Sequence, residues 1–101
     1  MEVYKNITSE TTTILIAKDT LAEATEVRVS KILISNNSSS EATGICVDLY
    51  DGTNVFYFIR DIVIPSKVSL VLEDNISFDR QKYNLRISNA GTNPNLTVII
   101  K

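Results

Sequence analysis

The chain has no histidine and no tryptophan, one cysteine, two prolines and three glycines. Each scarcity removes a class of chemistry. Without histidine, Cys46 lacks the base that would make it a nucleophile, and a zinc site is excluded. A single thiol forms no internal disulfide, so Cys46 reads as a structural or partly exposed strand residue. Gly44, Gly52 and Gly91 are dispersed, each suits a turn or a strand start, and no glycine-rich phosphate loop results. Lack of tryptophan removes the Cys-Trp-Cys pattern of antibody domains and the residue most expected on a sugar-binding surface. No apolar run approaches the roughly 20 residues of a membrane span. The start, Met1-Glu-Val-Tyr-Lys, has neither the basic nor the apolar region of a signal peptide, so the mature chain is expected to begin at or next to Met1 and to be made in a cytoplasm. In that compartment the sequons at Asn6, Asn36, Asn37, Asn75 and Asn95 read as products of an Asn/Ser/Thr-rich chain. The net charge of -2 is spread without a basic stripe, which argues against nucleic acid and against an anionic membrane as partners.

What remains is a chain of 101 residues, the size of one domain with one core, in which short apolar alternations recur. Met1 to Thr12 alternates weakly and is either a first strand or an arm that orders against a neighbour; the domain proper is expected over 13–101. Thr12 to Ala17 is a firmer strand. Lys18 to Glu26 reads as a loop with room for one helical turn. Glu26 to Asn36 reads as one long strand whose apolar face changes phase near Ser30-Lys31, from Val27 and Val29 to Ile32 and Ile34. A β-bulge there, or a crossing between sheet edges, would restore one inward face. Asn36 to Thr43 is a polar loop, expected to be the most exposed part of the chain. Pro65 marks an edge or corner after Ile62-Val-Ile64. Val68, Leu70 and Leu72 then alternate, Ile76 to Phe78 form a short connection, and Tyr83, Leu85 and Ile87 give the plainest period of two. Leu96, Val98 and Ile100 close the chain. About eight strands joined by turns predict an antiparallel β-sandwich, immunoglobulin-like or jelly-roll-like.

The strongest local signal is Gly44 to Pro65, two β-rich runs flanking Asp51-Gly52. Its loop is either two residues or four, Asp51 to Asn54. In both registers Ile45, Val47 and Leu49 share a face with Phe56 and Phe58, expected to be the core face. The opposite face carries Cys46, Asp48, Tyr50, Val55, Tyr57 and Ile59. Asp48 argues against full burial of that face, because an unpaired buried carboxylate is costly. A half-covered face suggests a subunit contact, the alternative being surface apolar residues of no consequence.

No constellation suggests catalysis. The carboxylates Asp48, Asp51, Asp61, Glu73, Asp74 and Asp79 fall mostly at turns and strand ends, where they solvate and shape the chain. Glu73-Asp74-Asn75 with Asp79 is the sole arrangement that invites calcium, and its spacing fits no loop template. No cofactor is expected.

The succession Thr13-Ile-Leu-Ile, Thr25-Glu-Val-Arg-Val-Ser-Lys-Ile-Leu-Ile-Ser-Asn, Val47-Asp-Leu-Tyr-Asp-Gly, Phe56-Tyr-Phe-Ile, Ile62-Val-Ile-Pro-Ser-Lys-Val-Ser-Leu-Val-Leu and Tyr83-Asn-Leu-Arg-Ile-Ser resembles small virion proteins of tailed bacteriophages, especially cyanobacterial and marine phages. It spans nearly the whole chain through strand patterns rather than invariant residues. Ser66-Lys67 stands where a glycine commonly follows the Ile-Pro, and Arg80-Gln-Lys82 where Gly-Asp is usual. The resemblance implies a non-enzymatic β-sandwich of the virion, made in the bacterial host, assembling as a homo-oligomer and with another virion protein such as a capsid or head-tail protein. Capsid decoration, neck, and tail or fibre attachment all fit; a carbohydrate-binding module is the reading from another class. The interface is expected at Tyr50, Val55, Tyr57 and Ile59, with Val3 and Tyr4 as a docking strand.

Overall fold

The computed structural model describes residues 2–9, 11–73, 75–91 and 93–101. Met1 and Glu10 of the expected arm, Asp74 of the acidic turn and Thr92 of the last turn lie outside the described residues. The described chain is all-β, with ten strands and no helix: β1 (Val3–Ile7), β2 (Thr12–Ile16), β3 (Glu26–Val29), β4 (Ile32–Asn36), β5 (Ala42–Tyr50), β6 (Val55–Ile64), β7 (Ser69–Leu72), β8 (Ile76–Asp79), β9 (Asn84–Ser88) and β10 (Leu96–Ile100).

The strands pair as one antiparallel ribbon folded back on itself, β5 with β6, β4 with β7, β3 with β8, β2 with β9 and β1 with β10. The Asp51–Asn54 loop is therefore the tip of the whole ribbon. Rolling the ribbon stacks two four-stranded sheets, β1-β10-β4-β7 and β2-β9-β5-β6, with β3-β8 as a short extension. Of the two sandwich types expected, this nested order is that of a jelly roll. Closing the roll makes one core, in which Ile32, Ile34, Ile45, Val47, Leu85, Leu96, Val98 and Ile100 are inaccessible to solvent.

Ten strands stand where about eight were expected because the expected Glu26–Asn36 strand is two and the N-terminal segment is a strand as well. At Ser30-Lys31 the backbone N–H groups of both residues donate to the single Lys101 carbonyl (2.9 and 3.1 Å). Two residues facing one is the geometry of a bulge. It turns Val27 and Val29 inward on one side and Ile32 and Ile34 on the other, resolving the change of phase in the sequence. The partner lane breaks correspondingly between Leu72 and Ile76. Val3–Ile7 pairs with the last strand of its own chain, and Ile7 is buried. The loop between β2 and β3 contains a turn at Thr20-Leu21 and no helix. Pro65 does lie at a corner, where the chain leaves the second sheet for the first.

Asn36 corrects the expectation of an exposed loop start. Its side chain is fully buried and its amide donates to the carbonyls of Ser40, Ile64 and Pro65 (2.9, 3.0 and 3.2 Å), while its oxygen accepts from the Ser38 N–H (3.0 Å). One side chain thus satisfies buried carbonyls at the ends of β6 and of the following corner.

Candidate functional site

The hairpin loop is the four-residue alternative, closed by Asp51 N–H to the Asn54 carbonyl (3.3 Å). The Asp51 carboxylate accepts the backbone N–H groups of Thr53 and Asn54 (2.8 and 2.7 Å). These bonds, Asn54 foremost and Thr53 next, hold Asp51 below the ordinary carboxylate range. From the loop the register runs Tyr50↔Val55, Leu49↔Phe56 and Asp48↔Tyr57, then shifts so that Val47 faces Ile59. Phe58 is the extra residue of that bulge.

The bulge, together with the position of β6 at the edge of its sheet, overturns the expected core face. Ile45 and Val47 are buried and Leu49 is partly so, but Phe56 and Phe58 are 51% and 37% exposed. Phe56 packs edge-on against Tyr83, with ring centroids 6.1 Å apart. Phe58 lines a cleft of about 310 Å³ with Leu49, Leu72 and Ile76. Ile59, expected on the opposite face, is instead packed partly against the core.

The opposite face is also more closed than expected. Asp48 is 2% exposed. It is paired rather than isolated: Arg86, directly across on β9, donates from Nε to Asp48 Oδ1 at 2.8 Å. Pairing removes the objection to its burial. The Arg86 guanidinium stacks over the Tyr50 ring at 4.0 Å, and the Tyr50 hydroxyl donates to the Gly52 carbonyl (2.8 Å). Cys46 is buried one pair further along and its sulfur accepts the Asp61 N–H at 3.3 Å. Ile14, Arg86, Asp48 and Tyr57 consequently form one row across the outer surface of the second sheet. Tyr57 ends it, 46% exposed, with the Arg60 guanidinium over its ring at 4.8 Å.

The six residues expected to form an interface divide between surfaces. Tyr50, Val55 and Tyr57 stand together on the outer hairpin face. Val3 and Ile59 pack partly against the core, and Tyr4 is exposed on β1, in the other sheet. The Tyr4 hydroxyl donates to Glu2 Oε2 (3.1 Å); that bond first, then the Glu2 charge, raises it above the usual phenol range. Exposed apolar side chains that the sequence reading did not place on a surface are Phe56, Phe58, Val63, Val68 and Val71. Among the described residues ten large apolar or aromatic side chains are exposed, and seven of them lie between Val55 and Val71. Their alternation signals strands, but only the strand order reveals that β6 and β7 are both edges on the same flank.

Clefts elsewhere offer little chemistry. A groove of about 530 Å³ beside β3 and β8 is lined by Glu26, Arg28, Ser30 and Lys101 among others. The Glu26 carboxylate there is paired with Arg28 at 3.1 Å. Among the described residues no three His, Cys, Asp or Glu side chains converge as a metal site would require. No family model matches the chain, and neither curated proteins nor solved structures contain a match to it.

Proposed function

We infer that the protein is a non-enzymatic structural component of a tailed-phage virion, assembling through the β6 flank with copies of itself and with a neighbouring capsid or head-tail protein. The observation that carries the assembly reading is the concentration of exposed apolar side chains along β6 and β7. Monomeric proteins scatter such residues, whereas contiguous apolar surface rimmed by polar groups marks an interaction site. Tyrosine and arginine on the same surface are the residue types that anchor interfaces. The virion setting rests on the resemblance of the strand patterns to phage proteins, and capsid decoration or a head-neck position is the role it suits best.

The carbohydrate-binding alternative is less well supported. Arg86 covers one face of Tyr50 and Arg60 one face of Tyr57, so each ring already has a stacking face occupied, and the chain has no tryptophan. The test is Tyr57→Asp, read by sedimentation of the purified protein and by its incorporation into particles of the phage that encodes it. Loss of oligomer or of incorporation is expected. A wild-type monomer at all concentrations, together with normal incorporation of the variant, would overturn the reading.

A further inference from the structure

The four edges of the two four-stranded sheets are not alike. On β1, Lys5 stands opposite the buried Val98, in the row that faces the core, and yet is exposed. An inward-pointing charge of this kind prevents another strand from adding. β2 is interrupted by the register shift between Ile14 and Ile16, and β7 is only four residues long. β6 has ten residues. Its second half is guarded by Arg60 and by Asp61, whose φ of 52° kinks the strand. Its first half, Val55-Phe-Tyr-Phe-Ile59, has no charge, proline or glycine, its one irregularity being the bulge at Phe58. Protection confined to half an edge suggests that the other half is in use, because an unguarded apolar edge otherwise recruits strands indiscriminately.

We propose that Val55–Ile59 pairs antiparallel with the same segment of a second copy, about a two-fold axis at Tyr57, joining two four-stranded sheets into one of eight. This rests on the assembly reading above and gives it a geometry. Charge identifies the occupant as a second copy. Asp51 lies at the hairpin tip just before the segment and Arg60 just after it, so two-fold antiparallel pairing brings each Arg60 to the other tip.

The same charges select the register. With Tyr57 opposite Tyr57 of the second copy, Arg60 falls opposite Asn54, whose backbone N–H and side-chain amide both bind the Asp51 carboxylate (2.7 and 3.4 Å). Moving the axis to Phe56 carries Arg60 past the tip, opposite Gly52. Moving it to Phe58 sets Arg60 against Phe56 and Asp61 against Val55. Phe58 belongs to a bulge, so regular pairing is confined to the residues around Tyr57. The interface is therefore small, below about 1,200 Å², and the dimer dissociates on dilution.

The experiment places a cysteine on the axis. In a Cys46→Ser background, Tyr57→Cys brings two thiols together at directly opposed strand positions, with Cβ atoms about 4.5–5.5 Å apart, near enough for a disulfide after slight adjustment. Mild oxidation is expected to convert most of the protein to a reducible dimer, while Tyr4→Cys in the same background gives none. Arg60→Glu, in the otherwise unaltered chain, is expected to weaken the wild-type dimer at least tenfold by sedimentation. A wild-type dimer whose Tyr57→Cys variant does not cross-link, or which Arg60→Glu leaves unchanged, overturns the two-fold edge and leaves self-association standing. A wild-type chain still monomeric at about 500 µM, where even a weak interface associates, overturns the pairing and the homo-oligomer together, but not attachment to another virion protein.

Discussion

The Arg86–Asp48 pair makes an ordering of stabilities that can be measured. The two partners are unequally placed: the Arg86 side chain is 20% exposed and the Asp48 side chain 3%. Arg86→Met strands a carboxylate in the middle of the sheet, and removing one partner of a buried pair costs about 3–5 kcal/mol. Asp48→Asn leaves an oxygen for the Arg86 Nε, and the guanidinium keeps its place over Tyr50 and its access to water. The loss there is that of a charge-assisted bond becoming an ordinary one, about 1 kcal/mol. Asp48→Leu with Arg86→Met removes both charges, and replacing a whole buried pair with apolar groups is often neutral or better. The double variant is therefore expected within about 1 kcal/mol of the natural protein. Urea unfolding reads all three. With a slope of about 2 kcal/mol per molar, Arg86→Met lowers the midpoint by roughly 1.5–2.5 M. The reasoning is refuted if Arg86→Met costs no more than Asp48→Asn, or if the double variant is as unstable as Arg86→Met.

Other consequences are as specific. Gly44 has φ +61° and a Cβ built there would stand 2.7 Å from the Ala90 Cβ, so Gly44→Ala combines backbone strain with a clash and should destabilise by about 2 kcal/mol or more. Gly52→Ala at the open tip carries backbone strain at φ +104° but meets nothing within 4 Å, so it should cost less in the same urea titration. Asn36→Asp exchanges a donor for an acceptor among three carbonyls and is expected to lose about 3 kcal/mol at neutral pH. Part of that loss should return as acid protonates the new carboxyl. Asp51, whose carboxyl is held below its ordinary value, supports the tip fully above the unfolded carboxylate range, about pH 4. That support is lost as pH falls through the lower folded value, so amide exchange at Thr53 and Asn54 should accelerate only in stronger acid.

How much of this is legible in the sequence follows from the range over which each interaction acts. Period-two alternation at Val27, Val29, Leu85, Ile87, Leu96 and Val98 is local, and it determines an all-β chain with its core residues named. The change of phase at Ser30-Lys31 announces a bulge or a crossing between sheet edges, since no straight strand buries both Val29 and Ile32. The hairpin follows from Asp51-Gly52 for the same reason. The scarcity of His, Cys and Trp likewise narrows the available chemistry. Facing and exposure around the tip are different in kind. Phe56 and Phe58 look like core because their spacing matches Val47 and Leu49, but β6 has no neighbour beyond it, and an edge strand covers only one flank of its side chains. Asp48 looks too polar to bury because its partner, Arg86, lies 38 residues away. Local pattern therefore determined which residues form strands. Which strands became edges, and which charges found partners, was decided by the rolling of the ribbon, since strand order and long-range pairing exist only once the chain has closed on itself.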